Sequence, residues 1–511
     1  MTFDQEQTWR NGGPSRLRLS VTLVLSLLVL LVSCRKLDGT FMYINTIPPS
    51  SINAYLDELQ SLQMTTIITS SFRHKDACSV SAPWQWYPSN TSGLPSYGPT
   101  YLHALLQGAA ARNMKVYIGL PVADGTCIYD YDPTIVQQVY AEHPPFVQFI
   151  EANYSQYASF AGWHIIYEPE IAKFWNDADP QTLYATINAN VKANSTKPVL
   201  VSPILNDFDD GLVAPQEIGR RAKLFWQKTG IDIQVWQLTL GAIAIWNRPG
   251  RHLLAEYTEQ ISTQLGKARF WGNYESFNLW PNYDSNRPRG GDGKPSAVSN
   301  LFGAIAGTSD HVSKSVTWIQ QREFGIVDQF AEIGSLRMRE TYKAAFEIQG
   351  AIRVAGGGYT YHVGTPDPLY QDSGNELFNS KTGDPLTQYF NVGDWVGIHG
   401  DVAVDIVLHQ DGLPKHVDWV AVHVWNISAY GIRFPTAISL RCAATVGGAF
   451  NSMGSWNNPL PLQPSNYYED SIYVIGNTTA LNADCAKVRV RLENSGYFTF
   501  LSEIEIASSE P

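Results

Sequence analysis

The chain has 511 residues and a formal charge of −11, with 16% charged and 44% hydrophobic residues. Such a composition buries a large core and excludes a disordered chain, and the acidic balance argues against a nucleic-acid binder, whose affinity rests on Lys and Arg at phosphates. At ~150 residues per domain, the length fits a barrel-sized unit plus a smaller one.

Residues 19–33 carry no charge, with Arg10, Arg16 and Arg18 before them and Arg35 and Lys36 after. As a helix this stretch rises about 22 Å, short of a ~30 Å hydrocarbon core, so residues 1–37 read as a secretory signal or a short anchor. Leu31-Val32-Ser33-Cys34 is similar to a bacterial lipobox, in which the cysteine is lipidated. The expected location is secreted or extracellular, with membrane contact only through this segment or a lipidated Cys34. Cys78, Cys127, Cys442 and Cys485 allow three pairings. Their grouping favours Cys78–Cys127 and Cys442–Cys485 in an oxidising compartment. Sequons stand at Asn90, Asn153, Asn194, Asn426 and Asn477 and matter only in a eukaryotic host.

From residue 38 to about 345 short apolar runs rich in β-branched residues alternate with helical patterns. The predicted strands are 40–45, 65–72, 115–120, 162–168, 198–205, 232–238, 269–277 and 324–332. Between them lie SSINAYLDELQSLQ, YLHALLQGAAARN, PPFVQFIEANYSQYA, DPQTLYATINANVKAN and EIGRRAKLFWQKTG, with Asn113 and Gly230 as stops. Eight alternations over some 300 residues are what an α/β protein of the (β/α)8 TIM-barrel type needs, and a doubly wound sheet usually has fewer strands. After a last helix at 337–351 the texture changes at Gly356-Gly357-Gly358. VAVDIVL, HVDWVAVHVW, AISLRCAA, KVRVRLE and FLSEIEIA then read as strands of an all-β sandwich over 346–511.

The C-terminal ends of barrel strands meet at one face, which holds the active site. Strand four ends in WHIIYEPE and strand seven in FWGNYESF, so Glu168 and Glu275 each stand among aromatic and amide residues. Strands four and seven face each other across the mouth. Glycoside hydrolysis asks for one protonated and one ionised carboxyl flanking the scissile bond, and nearby Trp and Tyr would raise the pKa of the proton donor. Glu170 competes with Glu168, because parity places both on one strand face. The remaining rim candidates for substrate binding are Tyr43, Asn45, Arg73, Tyr167, Asn206, Trp236, Gln237, Trp271, Asn273, Tyr274 and Glu332, with Ser71 and Asp207 beside them. Trp84 and Trp86, on a long loop, could stack on sugar rings or simply pack. Asp207, Asp209 and Asp210 lack further spaced ligands and read as a helix N-terminal cap, so no metal site is expected. The chain has no G-x-S-x-G elbow, P-loop or H-E-x-x-H.

GTFMYINTIPPSSINAYLDELQSLQMTTIITSSF, GWHIIYEPE and FWGNYESFN resemble the family named domain of unknown function 4434, over about residues 38–340. The resemblance implies a glycoside-hydrolase-like (β/α)8 barrel. That family often carries a Gln-Asp pair ending strand six, whereas here Gln237 is followed by Leu238 and Thr239. GDWVGIHGDVAVDIVL, HVDWVAVHVW, GIRFPTAISLRC and KVRVRLENSGYFTFLSEIEIA resemble a discoidin-like, galactose-binding-type sandwich. This second resemblance implies an accessory glycan-binding domain, which in such sandwiches often holds a structural calcium.

The function expected from the sequence is an exported glycoside hydrolase that needs no cofactor, acts on an oligo- or polysaccharide and works as a monomer. Glu168 would serve as general acid/base, and Glu275 as nucleophile if the outcome is retention. A carboxyl separation near ~5 Å would mean retention and ~6.5–9.5 Å inversion. The alternative is a glycan-binding or adhesion protein whose barrel has lost catalysis, and a plugged mouth would mark it.

Overall fold

Short β-branched runs buried on both faces pair in parallel only when helices cover their outer side, and here they close on themselves. The computed structural model describes residues 37–44, 47–75, 79–86, 98–123, 132–169, 171, 178–205, 213–238, 254–275, 277–278, 294–295, 304–305, 308–318, 352–353, 358–372, 374, 376–378, 395–426, 431–457, 471–476, 481–494 and 497–508. The barrel strands are β1 (Gly39–Met42), β2 (Thr66–Ser71), β3 (Lys115–Gly119), β4 (Phe160–Ile165), β5 (Val199–Val201), β6 (Ile233–Gln237), β7 (Phe270–Glu275) and β8 (Ser315–Trp318). Each pairs in parallel with its neighbour in sequence, and β8 closes the ring on β1 through Gly39 opposite Val316.

The eighth strand corrects the sequence reading. It is Ser315–Trp318 and not 324–332, so Glu332 does not end it. Residues 324–332 and the helix expected at 337–351 lie outside the described residues. The reason is length: SVTW is too short a run to stand out by pattern, and it is recognisable only once β7 and β1 flank it.

Helices α1 (Ile52–Ser61), α2 (Gly98–Ala111), α3 (Pro133–Tyr154), α4 (Ala178–Lys192), α5 (Pro215–Thr229) and α6 (Leu254–Leu265) pack on the outer side of the ring. Helix α3 starts at Asp132, whose carboxylate accepts the N–H groups of Thr134 (2.8 Å) and Ile135 (3.2 Å), satisfying donors that a helix start leaves unpaired. It therefore begins well before the segment expected from the sequence and runs through Pro144 and Pro145. Helix α5 stops at Gly230, with φ 69°, and Asn113 after α2 takes φ 56°, as expected of the stop residues. Inside the ring Phe41, Ile68, Tyr117, Leu200, Val235, Trp271 and Val316 form a separate apolar plug that floors the mouth.

The C-terminal part is all antiparallel β. One five-stranded sheet joins Ile352–Arg353, Val396–His399, Trp419–Asn426, Ser471–Gly476 and Phe498–Ser508. The other joins Gly358–Val363, Val402–Val407, Ala437–Ala443, Asn451–Asn457 and Lys487–Glu493. Alternation sends Val402, Val404, Ile406, Val488, Val490 and Leu492 from the second sheet, and Val420, Val422 and Val424 from the first, into one apolar core. A β-sandwich follows the barrel, as expected. Five of these strands, at 352–353, 358–363, 396–399, 451–457 and 471–476, are not distinguished in the sequence; the first is only two residues long, and Gly, Ser, Asn and Tyr blur the alternation of the others.

Cys442 and Cys485 form a disulfide with Cα atoms 5.4 Å apart, as the grouping predicted, whereas Cys78 and Cys127 lie outside the described residues. The bridge spans 43 positions. Its chain-entropy value is about 4 kcal/mol. Reduction, or Cys442→Ser with Cys485→Ser, should therefore lower sandwich stability by up to that amount in denaturant titration. A midpoint unmoved by reductant would show that the closed loop adds nothing.

Candidate active site

Alternation along β7 follows from the two-residue period of a strand. Trp271 belongs to the interior plug, so Asn273 and Glu275 also point inward while Tyr274 points out. Glu275 therefore stands at the top of the inner wall, beside Trp318 of β8. It is 3% exposed. Asn273 pairs laterally with Gln237 of β6 and is wholly buried, its amide having no hydrogen-bond partner among the described residues.

Glu168 lies three residues beyond the end of β4. The segment is held by Ile204, whose N–H donates to the Pro169 carbonyl at 3.0 Å. Ile204 itself bridges to Gln237, so the chain around Glu168 is tied to β6. Glu168 borders the cleft, yet its carboxyl is pushed up to about 7. Desolvation is the main cause; the charge of Glu275 adds to it, and the Gln237 amide works in the opposite sense. Glu168 thus feels the charge of Glu275 and the amide of Gln237, and of the two carboxylates Glu168 lines the cleft. Glu170 lies outside the described residues.

A cleft of about 250 Å³ opens at Glu168, lined by Phe41, Met42, Tyr43, Ser70, His164, Ile166, Glu168 and Trp318. The volume is near the lower end for small-molecule pockets, about 300 Å³. One wall is aromatic. Phe41 lies 4.8 Å from Trp318 and 5.4 Å from His164, and Tyr43, 38% exposed, meets Trp318 edge-on at 6.3 Å. Phe41, Met42, Ser70, His164, Ile166 and Trp318 were not singled out in the sequence. Strand parity could have flagged His164 and Ile166, which share the face of Glu168, but Trp318 needed the correct eighth strand.

Other expected rim residues are placed elsewhere. Trp236 and Tyr274 are fully buried and face the helices: Trp236 Nε1 donates to Gln234 at 2.9 Å, and the Tyr274 hydroxyl bonds Thr308. Burial holds the Tyr274 hydroxyl near 12. Tyr167 also points away from the mouth, its hydroxyl accepting the Ala123 N–H at 2.8 Å. Trp271 is inside the ring but below the mouth, its ring edge-on to Tyr117 at 5.5 Å. Arg73 pairs with Glu142 at 2.7 Å and lies over Trp86. Trp86 packs on Phe146 and Phe149 of α3, and Trp84 against the helical layer. One parity error explains the first three: a strand-end motif contains residues of both faces, and only alternate ones reach the mouth. Asn45, Asn206, Asp207, Asp209 and Asp210 lie outside the described residues. Among the described residues no group of three or more His, Cys, Asp or Glu side chains could hold a metal ion, and no helix is long and apolar enough to cross a membrane.

The fold is a TIM barrel followed by a β-sandwich, with a carboxyl of raised pKa, Glu168, lining a cleft. Residues 37–289 match the family described as Domain of unknown function (DUF4434). No curated protein matches the chain. Among solved structures it is similar to a proposed alpha-L-fucosidase from Bacteroides thetaiotaomicron, with 18% identity and TM-score 0.47 over 61% of this chain and 93% of that one. It is also similar to a structure described as a glycoside hydrolase, with 9% identity and TM-score 0.40 over 93% of each chain. A glucosidase from Croceicoccus marinus aligns at 11% identity and TM-score 0.38, over 91% of this chain and 97% of the other.

Proposed function

We propose that this protein is a glycoside hydrolase in which Glu168 is the general acid/base and Glu275 the second carboxylate, the nucleophile if configuration is retained. The observation that carries the reading is the perturbed carboxyl at the cleft: Glu168 is raised to about 7, chiefly by desolvation, with the charge of Glu275 adding to the shift. A donor that keeps its proton near neutrality beside a carboxylate is what glycosidic cleavage requires. Protonation of the leaving oxygen by Glu168 would accompany attack at the anomeric carbon, and Glu168 would then take a proton from the incoming water. The aromatic wall of Phe41, Tyr43 and Trp318 suits the apolar face of a sugar ring.

In this reading the substrate is an oligo- or polysaccharide, the discoidin-like sandwich keeps the barrel near its polymer, and the N-terminal segment exports or anchors the chain. Tethering of this kind raises the effective substrate concentration without any new contact at the barrel. The test is a screen of purified protein against a polysaccharide panel, with Glu275→Gln alongside. Release of reducing sugar by the wild type alone supports the assignment. Release by both rejects it, and binding without release by either favours the glycan-binding alternative.

A further inference from the structure

We infer that His164 is a substrate-binding residue, whose Nε2 accepts a hydrogen bond from a hydroxyl of the sugar seated in the cleft beside Glu168. The inference rests on the proposed carbohydrate site and adds to it a defined polar contact.

The argument starts from an irregularity in the barrel wall. Between Ile68 and Ser71 the pairing of β2 with β3 slips. Thr69, inside the slip, has its side chain occupied: its hydroxyl donates to the Tyr117 carbonyl at 3.3 Å and accepts the Gly119 N–H at 2.9 Å. Those bonds close the gap that the bulge makes in the ladder. The Thr69 carbonyl meets His164 Nδ1 at 3.0 Å, reaching from β2 to β4 past the intervening β3. Bulges commonly re-aim a group beside an active site, and here the group is a backbone acceptor.

A carbonyl can only accept, so Nδ1 carries the proton. In the neutral ring the other nitrogen, Nε2, is then an acceptor. The ring is neutral: burial lowers its pKa to about 4, against the smaller opposing effect of the Thr69 bond. His164 is 4% exposed and lines the cleft, with Phe41 fixing its plane from the edge. A fixed tautomer presenting one acceptor among Phe41, Ile166 and Trp318 suits a hydroxyl donor and penalises a ligand without one, because the acceptor would lose water and gain nothing.

Two substitutions separate this role from a structural one. In His164→Asn the amide nitrogen overlays Nδ1 and keeps the Thr69 bond, but nothing replaces Nε2. In His164→Gln the amide oxygen reaches the Nε2 position, while the Thr69 bond is lost. The probes are D-glucose, D-galactose, D-mannose, D-xylose, L-fucose and L-rhamnose, titrated onto the full chain. Binding is followed by the ring ¹⁵N resonances of the wild type and by saturation-transfer signals of the sugar. We expect at least one sugar to shift Nε2 while leaving Nδ1 protonated. That sugar should bind about 3- to 10-fold more weakly to His164→Asn, with partial recovery in His164→Gln.

The inference is overturned if no sugar moves Nε2, or if the order of the variants reverses, as a purely structural role demands. The two readings fail separately. Polysaccharide cleavage with Nε2 unmoved sinks the His164 contact alone, whereas sugar binding through Nε2 without cleavage sinks hydrolysis alone.

Discussion

Replacing Glu275 by Gln is expected to lower turnover about 10⁴- to 10⁶-fold on any glycan the wild type cleaves, the range for loss of an essential acid/base or nucleophile. Folding should survive. Glu275 is buried and its charge raises Glu168, so the amide removes a charge from a site that already disfavours it. The substitution also has an electrostatic signature independent of turnover. The charge of Glu275 helps hold Glu168 near 7, so the Glu168 midpoint should fall in the variant. Carboxyl ¹³C titration reads it directly. A midpoint that stays in place would show that the two side chains do not feel each other, and the paired-carboxylate mechanism would go with it.

The pH dependence of Glu168 gives the second large effect. Its folded value, about 7, lies above the ordinary 4.5, so the folded protein holds this proton more tightly than the unfolded chain. Below pH 4.5 both states are protonated and Glu168 contributes its full share of stability. As pH rises from 4.5 towards 7 the unfolded chain ionises first, and that share is lost. The shift caps the loss at about 3 kcal/mol, reduced by the water that the cleft admits. Catalysis should show the same group: kcat/KM falls above about pH 7, tenfold per unit, as the acid loses its proton. Glu168→Gln should abolish both the stability slope and this basic limb, and cost about 10²- to 10⁴-fold in rate. His164 does not titrate in this window, being held neutral down to about 4. A basic limb that persists in Glu168→Gln would assign the acid to another residue.

Much of this was readable in the chain. Seven of the eight barrel strands appear in sequence as β-branched runs, because a strand buried on both faces must be apolar along its length. Glu168 and Glu275 stand out in the sequence because the end of a parallel barrel strand has one geometric destiny, the mouth. The pairing of Cys442 with Cys485 followed from their sharing one domain. All of these are consequences of local pattern plus one topology.

Tertiary structure alone decided the rest. Period-two alternation gives two faces but does not say which is inside, so Trp236 and Tyr274 went to the helical layer while Gln237 and Asn273 stayed within the ring. Four residues of β8 carry too little pattern to identify themselves, and Trp318 reached the cleft only because β1 and β7 left one gap to close. The orientation of His164 depends on a register slip between β2 and β3, which is a property of two strands held together. The raised pKa of Glu168 is of the same kind, since desolvation and the field of a second carboxylate exist only once segments some hundred residues apart share a low-dielectric site.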